Sequence, residues 1–303
     1  MADLRAEVAG VKLRNPTLLA SGFLDETGGS MLRVFNAGAG GVVTKSVGPE
    51  PREGNLNPTV VELPVGLLNA VGLPNPGIAD YEAEAKVAVS GGAAVIGSVY
   101  GRDAQEYAAV AKRMASYDVL AVELNLSCPH AKGLGTEIAQ DPEAVEEITR
   151  AVKKVVHVPV WSKLSPNVAD MASFADAAKR GGADAVTAIN TVKSMAISAD
   201  LKMPVLKNGY GGLSGPAIKP VGLRCVYEIF EAVDIPIVGV GGIETGADAI
   251  EYLMAGARAV QIGTALLRRG LDVFPRACAE MSTWMDANGY AKVEDLVGAA
   301  HGK

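Results

Sequence analysis

The chain alternates short apolar runs with amphipathic stretches of helical period. The apolar runs predict buried strands at Thr17–Ala20, Gly41–Lys45, Ala93–Val99, Leu120–Leu126, Pro159–Leu164, Ala185–Asn190, Pro236–Val240 and Ala259–Gly263. The amphipathic stretches predict helices that include Ala104–Ser116, Pro142–Val155, Val168–Arg180, Pro216–Ala232 and Gly246–Ala255. Apolar strands that alternate with helices indicate a parallel sheet covered by helices, and eight of them favour an α/β fold of the (β/α)8 TIM-barrel type.

Three segments lie outside this alternation. Met1–Arg14 predicts a short N-terminal hairpin. Two long irregular insertions are predicted, Ser46–Tyr81 after the second strand and Thr191–Gly215 after the sixth. Both leave the carboxyl end of a strand, the face on which barrels hold their active sites, so we expect them to form functional lids or binding walls. Since no linker interrupts the pattern, a single domain over residues 1–303 is predicted.

Composition and charge argue against several classes of function. The 28 basic and 34 acidic residues give a net charge of −6 with no basic block, which argues against nucleic-acid binding. No apolar run has membrane length, and the N-terminus lacks a secretory core. The three cysteines lie far apart. This spacing fits a reducing cytoplasm, argues against an iron–sulfur cluster held by this chain alone, and predicts no metal site.

The fourth predicted strand ends in an unusual cluster of polar groups: Asn125, Ser127, Cys128, Pro129 and His130. Pro129 cannot donate to a sheet ladder, so the strand stops there and Cys128 lies at its carboxyl lip. A lone cysteine is most often a packing residue. At such a lip, among polar neighbours, it can act as a base or nucleophile if its thiolate is favoured.

Other strands also end in groups that can bind a ligand. These are Ser21, Lys45, Ser46, Ser98, Asn125, Lys163, Asn190 and Thr191. Burying an ammonium group without an anionic partner is costly, so we expect Lys45 and Lys163 both to meet a ligand. Strands seven and eight end in Gly241-Gly242 and Gly263-Thr264, where bare backbone N–H groups suit a phosphate.

Together these groups suit an anionic ring system that carries a phosphate, and flavin mononucleotide (FMN) fits that description. A cation near the flavin's pyrimidine edge stabilises the reduced ring, and a thiolate on the other side of the substrate could take a proton. A different class of enzyme stays open. A lyase or isomerase barrel would hold a substrate phosphate on the glycine turns and use Lys163 as a Schiff-base amine.

Six segments carry a family resemblance: residues 43–46 (VTKS), 69–77 (NAVGLPNPG), 125–129 (NLSCP), 189–191 (INT), 211–220 (GGLSGPAIKP) and 238–243 (VGVGGI). On these segments the chain resembles class 1 dihydroorotate dehydrogenase, most closely the catalytic barrel subunit of its NAD-linked subtype B. The resemblance implies FMN-dependent oxidation of (S)-dihydroorotate to orotate in pyrimidine biosynthesis. Cys128 would remove the C5 proton while C6 gives a hydride to the flavin.

The resemblance also implies the binding residues. The orotate pocket would comprise Lys45, Asn69, Ala70, Val71, Gly72, Leu73, Asn125, Asn190 and Thr191. The FMN site would comprise Ser21, Lys45, Ser46, Asn125, Lys163, Ile189, Gly215, Gly241, Gly242, Gly263 and Thr264. Electrons would pass to a partner subunit that carries FAD and a [2Fe–2S] cluster and reduces NAD⁺, in a heterotetramer built on a homodimer. The expected location is the cytoplasm.

Two positions depart from the family pattern. His130 and Ser98 stand where many members have Asn. The Ser-Cys-Pro-His form at 127–130 also looks like the flavin barrel of dihydropyrimidine dehydrogenase, whose substrate lacks a carboxylate. Uracil or dihydrouracil is therefore the alternative substrate. The segment 69–77 and Lys45, a suitable carboxylate partner, favour dihydroorotate.

Overall fold

The computed structural model describes residues 2–126 and 138–302. The strands are β1 (Ala6–Val8), β2 (Val11–Leu13), β3 (Thr17–Leu19), β4 (Gly41–Val43), β5 (Val60–Leu63), β6 (Gly66–Asn69), β7 (Val95–Val99), β8 (Ala121–Asn125), β9 (Val160–Leu164), β10 (Ala185–Ala188), β11 (Val192–Ser194), β12 (Ile197–Ser198), β13 (Met203–Pro204), β14 (Gly211–Ser214), β15 (Ile237–Val240) and β16 (Ala257–Ile262). The helices are α1 (Gly28–Asn36), α2 (Glu82–Ser90), α3 (Ala104–Ala115), α4 (Pro142–Lys153), α5 (Met171–Arg180), α6 (Lys219–Ala232), α7 (Gly246–Met254), α8 (Ala265–Arg269) and α9 (Val273–Asn288).

Eight strands close into a parallel barrel. Its order is β3, β4, β7, β8, β9, β10, β15 and β16, and β16 pairs with β3 to close the ring. The predicted (β/α)8 barrel is therefore confirmed, with each of the eight strands within a few residues of its predicted place. Strands such as Val95–Val99 are buried along their whole length because helices cover one face and the barrel interior the other, which explains their continuous apolar runs.

Helix starts follow the capping signals in the sequence. The side chains of Asp103 and Asp141 accept hydrogen bonds from backbone N–H groups in the first turns of α3 and α4. α5 begins at Met171, later than the predicted Val168, because the Asp170 side chain accepts from the N–H of Ser173 and so fixes the helix start. The caps at Asp103 and Asp141 agree with the predicted starts of α3 and α4.

The two insertions are not irregular, contrary to the sequence-based prediction. Each contributes two strands to one antiparallel sheet, in the order β11-β14-β6-β5, and β12 pairs with β13 in a separate hairpin. These strands are short, β5 and β14 are at most partly buried, and β14 begins with two glycines, so the apolar period that marked the barrel strands is lacking there. The sheet joins the insertion that follows β4 to the one that follows β10.

The N-terminal hairpin closes the amino end of the barrel. β1 and β2 pair as predicted, and Val8, Val11 and Leu13 pack in one cluster with Trp161 of β9. Trp161 is fully buried. The carboxyl ends of the strands are consequently the face left for a site. Within residues 2–126 and 138–302, no helix has both the length and the apolar character needed to cross a membrane.

Candidate active site

A cavity lies at the carboxyl ends of the barrel strands, the face on which barrels of this kind hold their active sites. It is lined by residues that follow β3, β9, β10, β15 and β16 and by the end of β14. Eight of the eleven residues predicted to hold FMN line it: Ser21, Lys163, Ile189, Gly215, Gly241, Gly242, Gly263 and Thr264. Asn190 and Thr191 of the predicted orotate pocket line it too, whereas Lys45, Ser46 and Asn125 do not. The lining also includes Ser214, Glu244 and Gln261, which the sequence analysis missed.

Glycines form one wall of the cavity. Gly241 and Gly242 have φ values of +125° and +69°, and Gly215 has +100°. A Cβ on Gly242 would lie 2.8 Å from the carbonyl oxygen of Gly215 and 2.8 Å from the Cβ of Lys219. Glycine is therefore required at this turn both by backbone conformation and by space, and it leaves bare backbone facing a ligand.

A chain of hydrogen bonds runs across the strand ends beside this cavity. The Oγ atoms of Ser21 and Ser46 lie 3.3 Å apart, and Asn125 Nδ2 donates to Ser46 Oγ at 3.1 Å. Asn190 Nδ2 donates to Asn125 Oδ1 at 3.2 Å, and the N–H of Thr191 donates to Asn190 Oδ1 at 2.8 Å. The network fixes the orientation of both amide side chains, so donors and acceptors are preset at β8 and β10.

Ser98 supports this network from below. Its Oγ lies 2.8 Å from Ser46 Oγ, its backbone N–H donates to Thr44 Oγ1 at 2.8 Å, and its side chain is fully buried. A serine at this position thus holds Ser46 in place. The departure from the family's usual Asn therefore has a structural role in this chain.

Both buried lysines have carboxylate partners within the chain, which the sequence analysis did not anticipate. Lys163 Nζ lies 3.3 Å from Glu123 Oε1 of β8, and both side chains are almost entirely buried. Lys45 Nζ lies 3.6 Å from Glu26 Oε1, a carboxylate on an exposed side chain. The contact of either lysine with a ligand stays a prediction. A ligand carboxylate could take the place of Glu26, which is exposed, beside Lys45. Glu123, the partner of Lys163, is a buried residue of the barrel strand β8.

Asp25 adds a second acidic group near Lys45. It is 1% exposed, and burial raises the pKa of its carboxyl group while the charge of Lys45 opposes that rise. The backbone oxygen of Asp25 accepts hydrogen bonds from the N–H of Lys45 and from the hydroxyl of Tyr81. Asp25 thus anchors the loop after β3 to the end of β4.

The predicted wall at residues 69–73 is only partly joined to the cavity. Asn69 pairs with Gly212 in the insertion sheet, and its Nδ2 donates to the Gly212 oxygen at 3.2 Å. A Cβ on Gly212 would lie 2.0 Å from Thr191 Oγ1, so Asn69 and Thr191 flank the same glycine. The carbonyl groups of Ala70, Val71 and Gly72 accept from Asn55 and Arg52. Leu73 follows with a φ of +57°.

The predicted base, Cys128, belongs to the polar cluster that follows β8. Ser127, Cys128 and His130 lie outside the described residues. The structure is described as far as Leu126. Next to this end, the backbone carbonyl of Asn125 accepts a hydrogen bond from the hydroxyl of Tyr107 at 2.7 Å. Cys128 as base stays a prediction from the sequence.

The two described cysteines do not suit a base or nucleophile. Burial raises the pKa of the Cys225 thiol to about 11 and also raises that of Cys278. Both sit in helices, α6 and α9. In residues 2–126 and 138–302, no group of three or more His, Cys, Asp or Glu side chains is arranged to hold a metal ion.

The closed barrel, the glycine wall and the ordered amide network at the strand ends define a (β/α)8-barrel enzyme with a small-molecule site at the carboxyl face. The family model of dihydroorotate dehydrogenase matches residues 3–285. The chain belongs to the dihydroorotate dehydrogenase family.

Relatives agree over nearly the whole chain. It is 52% identical over 300 residues to the "Dihydroorotate dehydrogenase B (NAD(+)), catalytic subunit" of Thermoplasma acidophilum, with 99% of each chain covered. The protein of the same name from Methanocaldococcus jannaschii is 47% identical over 302 residues, with 98% of each chain covered. A crystal structure of DHODH from Eimeria tenella with ferulenol superposes with a TM-score of 0.84 at 23% identity. It covers 99% of this chain and 89% of that one, and supports the barrel fold.

Proposed function

We propose that the chain is the FMN-dependent catalytic subunit of an NAD-linked dihydroorotate dehydrogenase, which oxidises (S)-dihydroorotate to orotate in pyrimidine biosynthesis. One observation carries the proposal. Eight of the eleven residues expected to hold FMN line one cavity, and the relatives that match nearly the whole chain are named as that enzyme's catalytic subunit.

The residues present fit FMN. The Gly241-Gly242 turn provides bare backbone where a Cβ would intrude, which suits the phosphate. Lys163 lines the same cavity and supplies a cation for the ring edge. Glu244 also lines the cavity, and its Oε1 is buried without a hydrogen-bond partner among the described residues, so it can accept from a ribityl hydroxyl. Ser21, Lys45, Ser46, Asn125, Ile189, Gly215, Gly263 and Thr264 complete the proposed site.

The substrate would lie against the amide network. Lys45 is 9% exposed and would pair with the carboxylate of dihydroorotate in place of Glu26. Asn125 and Asn190 are already oriented by their mutual hydrogen bond and would hold the ring amides. Asn69, Thr191 and the Ala70–Leu73 segment would form the wall. A preset network loses little conformational entropy on binding, which favours a precise substrate position.

The proposed chemistry divides between the cofactor and the chain. FMN, when bound, supplies the acceptor for the hydride that leaves C6 of dihydroorotate. Cys128 would accept the proton from C5 as a thiolate, and Lys45 with the two amides would keep C5 directed at it. Lys163 would stabilise negative charge at the ring edge, which makes the loss of hydride from the substrate easier.

The onward path of the electrons requires another protein. The relatives are named catalytic subunits of an NAD(+) enzyme. We therefore propose a partner subunit with FAD and a [2Fe–2S] cluster, in a heterotetramer around a homodimer. The homodimer and a cytoplasmic location rest on the resemblance alone.

Turnover with a dye acceptor tests the substrate. We expect FMN-loaded protein to oxidise dihydroorotate and to leave dihydrouracil essentially unoxidised, because Lys45 would have no carboxylate to pair with. A preference for dihydrouracil would support the dihydropyrimidine alternative instead. A protein that binds no FMN and turns over neither compound would favour the phosphate-binding lyase.

Gly242→Ala should weaken FMN binding about tenfold or more. The new Cβ would crowd the Gly215 carbonyl, and the φ of +69° is strained for alanine by about 1–3 kcal/mol. Fluorescence titration of apoprotein with FMN measures the effect. Gly209→Ala is the matched control, since Gly209 has a φ of +85° with open space around it and does not line the cavity. Equal FMN affinity in Gly242→Ala and wild type would exclude this turn from the phosphate site.

A further inference from the structure

Four barrel strands each contribute one polar side chain to a buried cluster beneath the cavity. The members are Glu123 of β8, Lys163 of β9, Thr187 of β10 and Gln261 of β16. Glu123 and Thr187 are fully buried, Gln261 is 1% exposed and Lys163 is 6% exposed. Charged groups at such depth persist only when they are paired and hydrogen-bonded, so this cluster must be satisfied internally.

Glu123 is the centre of the cluster. Its Oε1 lies 3.3 Å from Lys163 Nζ, and its Oε2 accepts from Thr187 Oγ1 at 3.0 Å and from Gln261 Nε2 at 2.5 Å. The Gln261 oxygen in turn accepts from Lys163 Nζ at 3.1 Å. Both oxygens of the carboxylate are therefore engaged, and the Gln261 side chain is fixed in one orientation by its two charged neighbours.

Lys163 connects the cluster to the cavity. An ammonium group has three N–H donors, and two of those of Lys163 are directed at Glu123 and Gln261. One donor remains for a ligand, and both Lys163 and Gln261 line the cavity. A ligand bound in the cavity would contact the Lys163 ammonium group, and Glu123 determines the position of that group and the electrostatic field around it.

We propose that Glu123 is a positioning residue that fixes the Lys163 ammonium and offsets its charge, and so sets the reduction potential of the bound flavin. This inference rests on the proposed binding of FMN. An ammonium group beside the ring favours the reduced, more negative form, whereas a carboxylate 3.3 Å behind that ammonium opposes the effect. The two together keep the flavin able both to accept electrons from substrate and to pass them on.

The midpoint potential of the bound FMN tests this role. Glu123→Gln keeps the size of the side chain and removes its charge, so the reduced flavin should gain at least about tenfold in stability relative to the oxidised form. For a two-electron couple, this is an upward shift of about 30 mV or more. Glu123→Asp keeps the charge but draws it back by one methylene, and should give a smaller upward shift.

Thr187→Val is the matched control. It removes one hydrogen bond to Glu123 at the same depth and leaves every charge in place. Its potential should equal that of wild type, whereas a shift as large as that of Glu123→Gln would assign the effect to packing and overturn the proposal.

The results of these measurements distinguish a failure of the proposed function from a failure of the role proposed for Glu123. Wild-type protein that binds no FMN would overturn the proposed function, and this inference with it. FMN-loaded wild type and Glu123→Gln with equal potentials would overturn the inference alone. Should Glu123→Gln fail to fold, Glu123→Asp carries the test, and an unchanged potential there would equally refute the role.

Discussion

Cys128→Ala should retain bound FMN and lose roughly 10²- to 10⁴-fold in the rate of flavin reduction by dihydroorotate. The proposed oxidation needs a base for the C5 proton, and alanine offers none. Cys128 is not among the residues proposed to hold FMN, so the affinity for FMN should not change. Stopped-flow absorbance under anaerobic conditions measures the rate, and the flavin content of the purified variant measures binding.

Cys278→Ala provides the control for this experiment. Cys278 lies in α9, and burial raises the pKa of its thiol, so its loss should leave flavin reduction unchanged. Cys128→Ser should also be slow, because a hydroxyl group ionises much less readily than a thiol near neutral pH. Reduction of Cys128→Ala at the wild-type rate would show that another group removes the proton.

Lys45→Met should lower kcat/KM for dihydroorotate by roughly 10- to 150-fold. A charge-assisted hydrogen bond is worth about 1.5–3 kcal/mol, and Lys45 is almost buried, so solvent screens its pairing with the substrate carboxylate only weakly. The loss should be mainly in KM, because the carboxylate stays charged throughout the reaction. Steady-state kinetics with a dye acceptor gives both constants.

Glu26→Gln is the complementary variant. Glu26 pairs with Lys45 at 3.6 Å from an exposed position, where it would compete with the substrate carboxylate. Removing its charge should lower KM for dihydroorotate modestly, since pairs with one exposed member are worth about 1 kcal/mol or less. If Lys45→Met lost no more affinity for dihydroorotate than for dihydrouracil, Lys45 would not be the carboxylate partner.

The barrel could be predicted because its strands are buried on both faces and therefore form continuous apolar runs. Val95–Val99 and Val160–Leu164 illustrate this, and the caps at Asp103 and Asp141 placed the helices that follow. The insertion sheet could not be predicted in the same way. A strand such as Gly211–Ser214 has no apolar period, and its pairing with Gly66–Asn69 depends on a contact between distant parts of the chain.

The candidate site likewise has features that could be predicted from the sequence and features that could not. Residues at strand ends could be assigned to one mouth because a closed barrel brings all carboxyl ends together. The partners of Lys163 could not be assigned, since Glu123 and Gln261 lie within apolar strands far apart in sequence. One signal was present: a glutamate inside an otherwise apolar buried strand must be paired, which marks Glu123 even when its partner is unknown.

The most direct measurement is the anaerobic visible spectrum of the purified protein before and after addition of dihydroorotate. The proposed function predicts an oxidised flavin spectrum that bleaches on addition of dihydroorotate, and one that dihydrouracil leaves unchanged. Together these results would establish the cofactor, the substrate and the reductive half-reaction. A protein that still shows no flavin after reconstitution with FMN, or a flavin that only dihydrouracil bleaches, would contradict it.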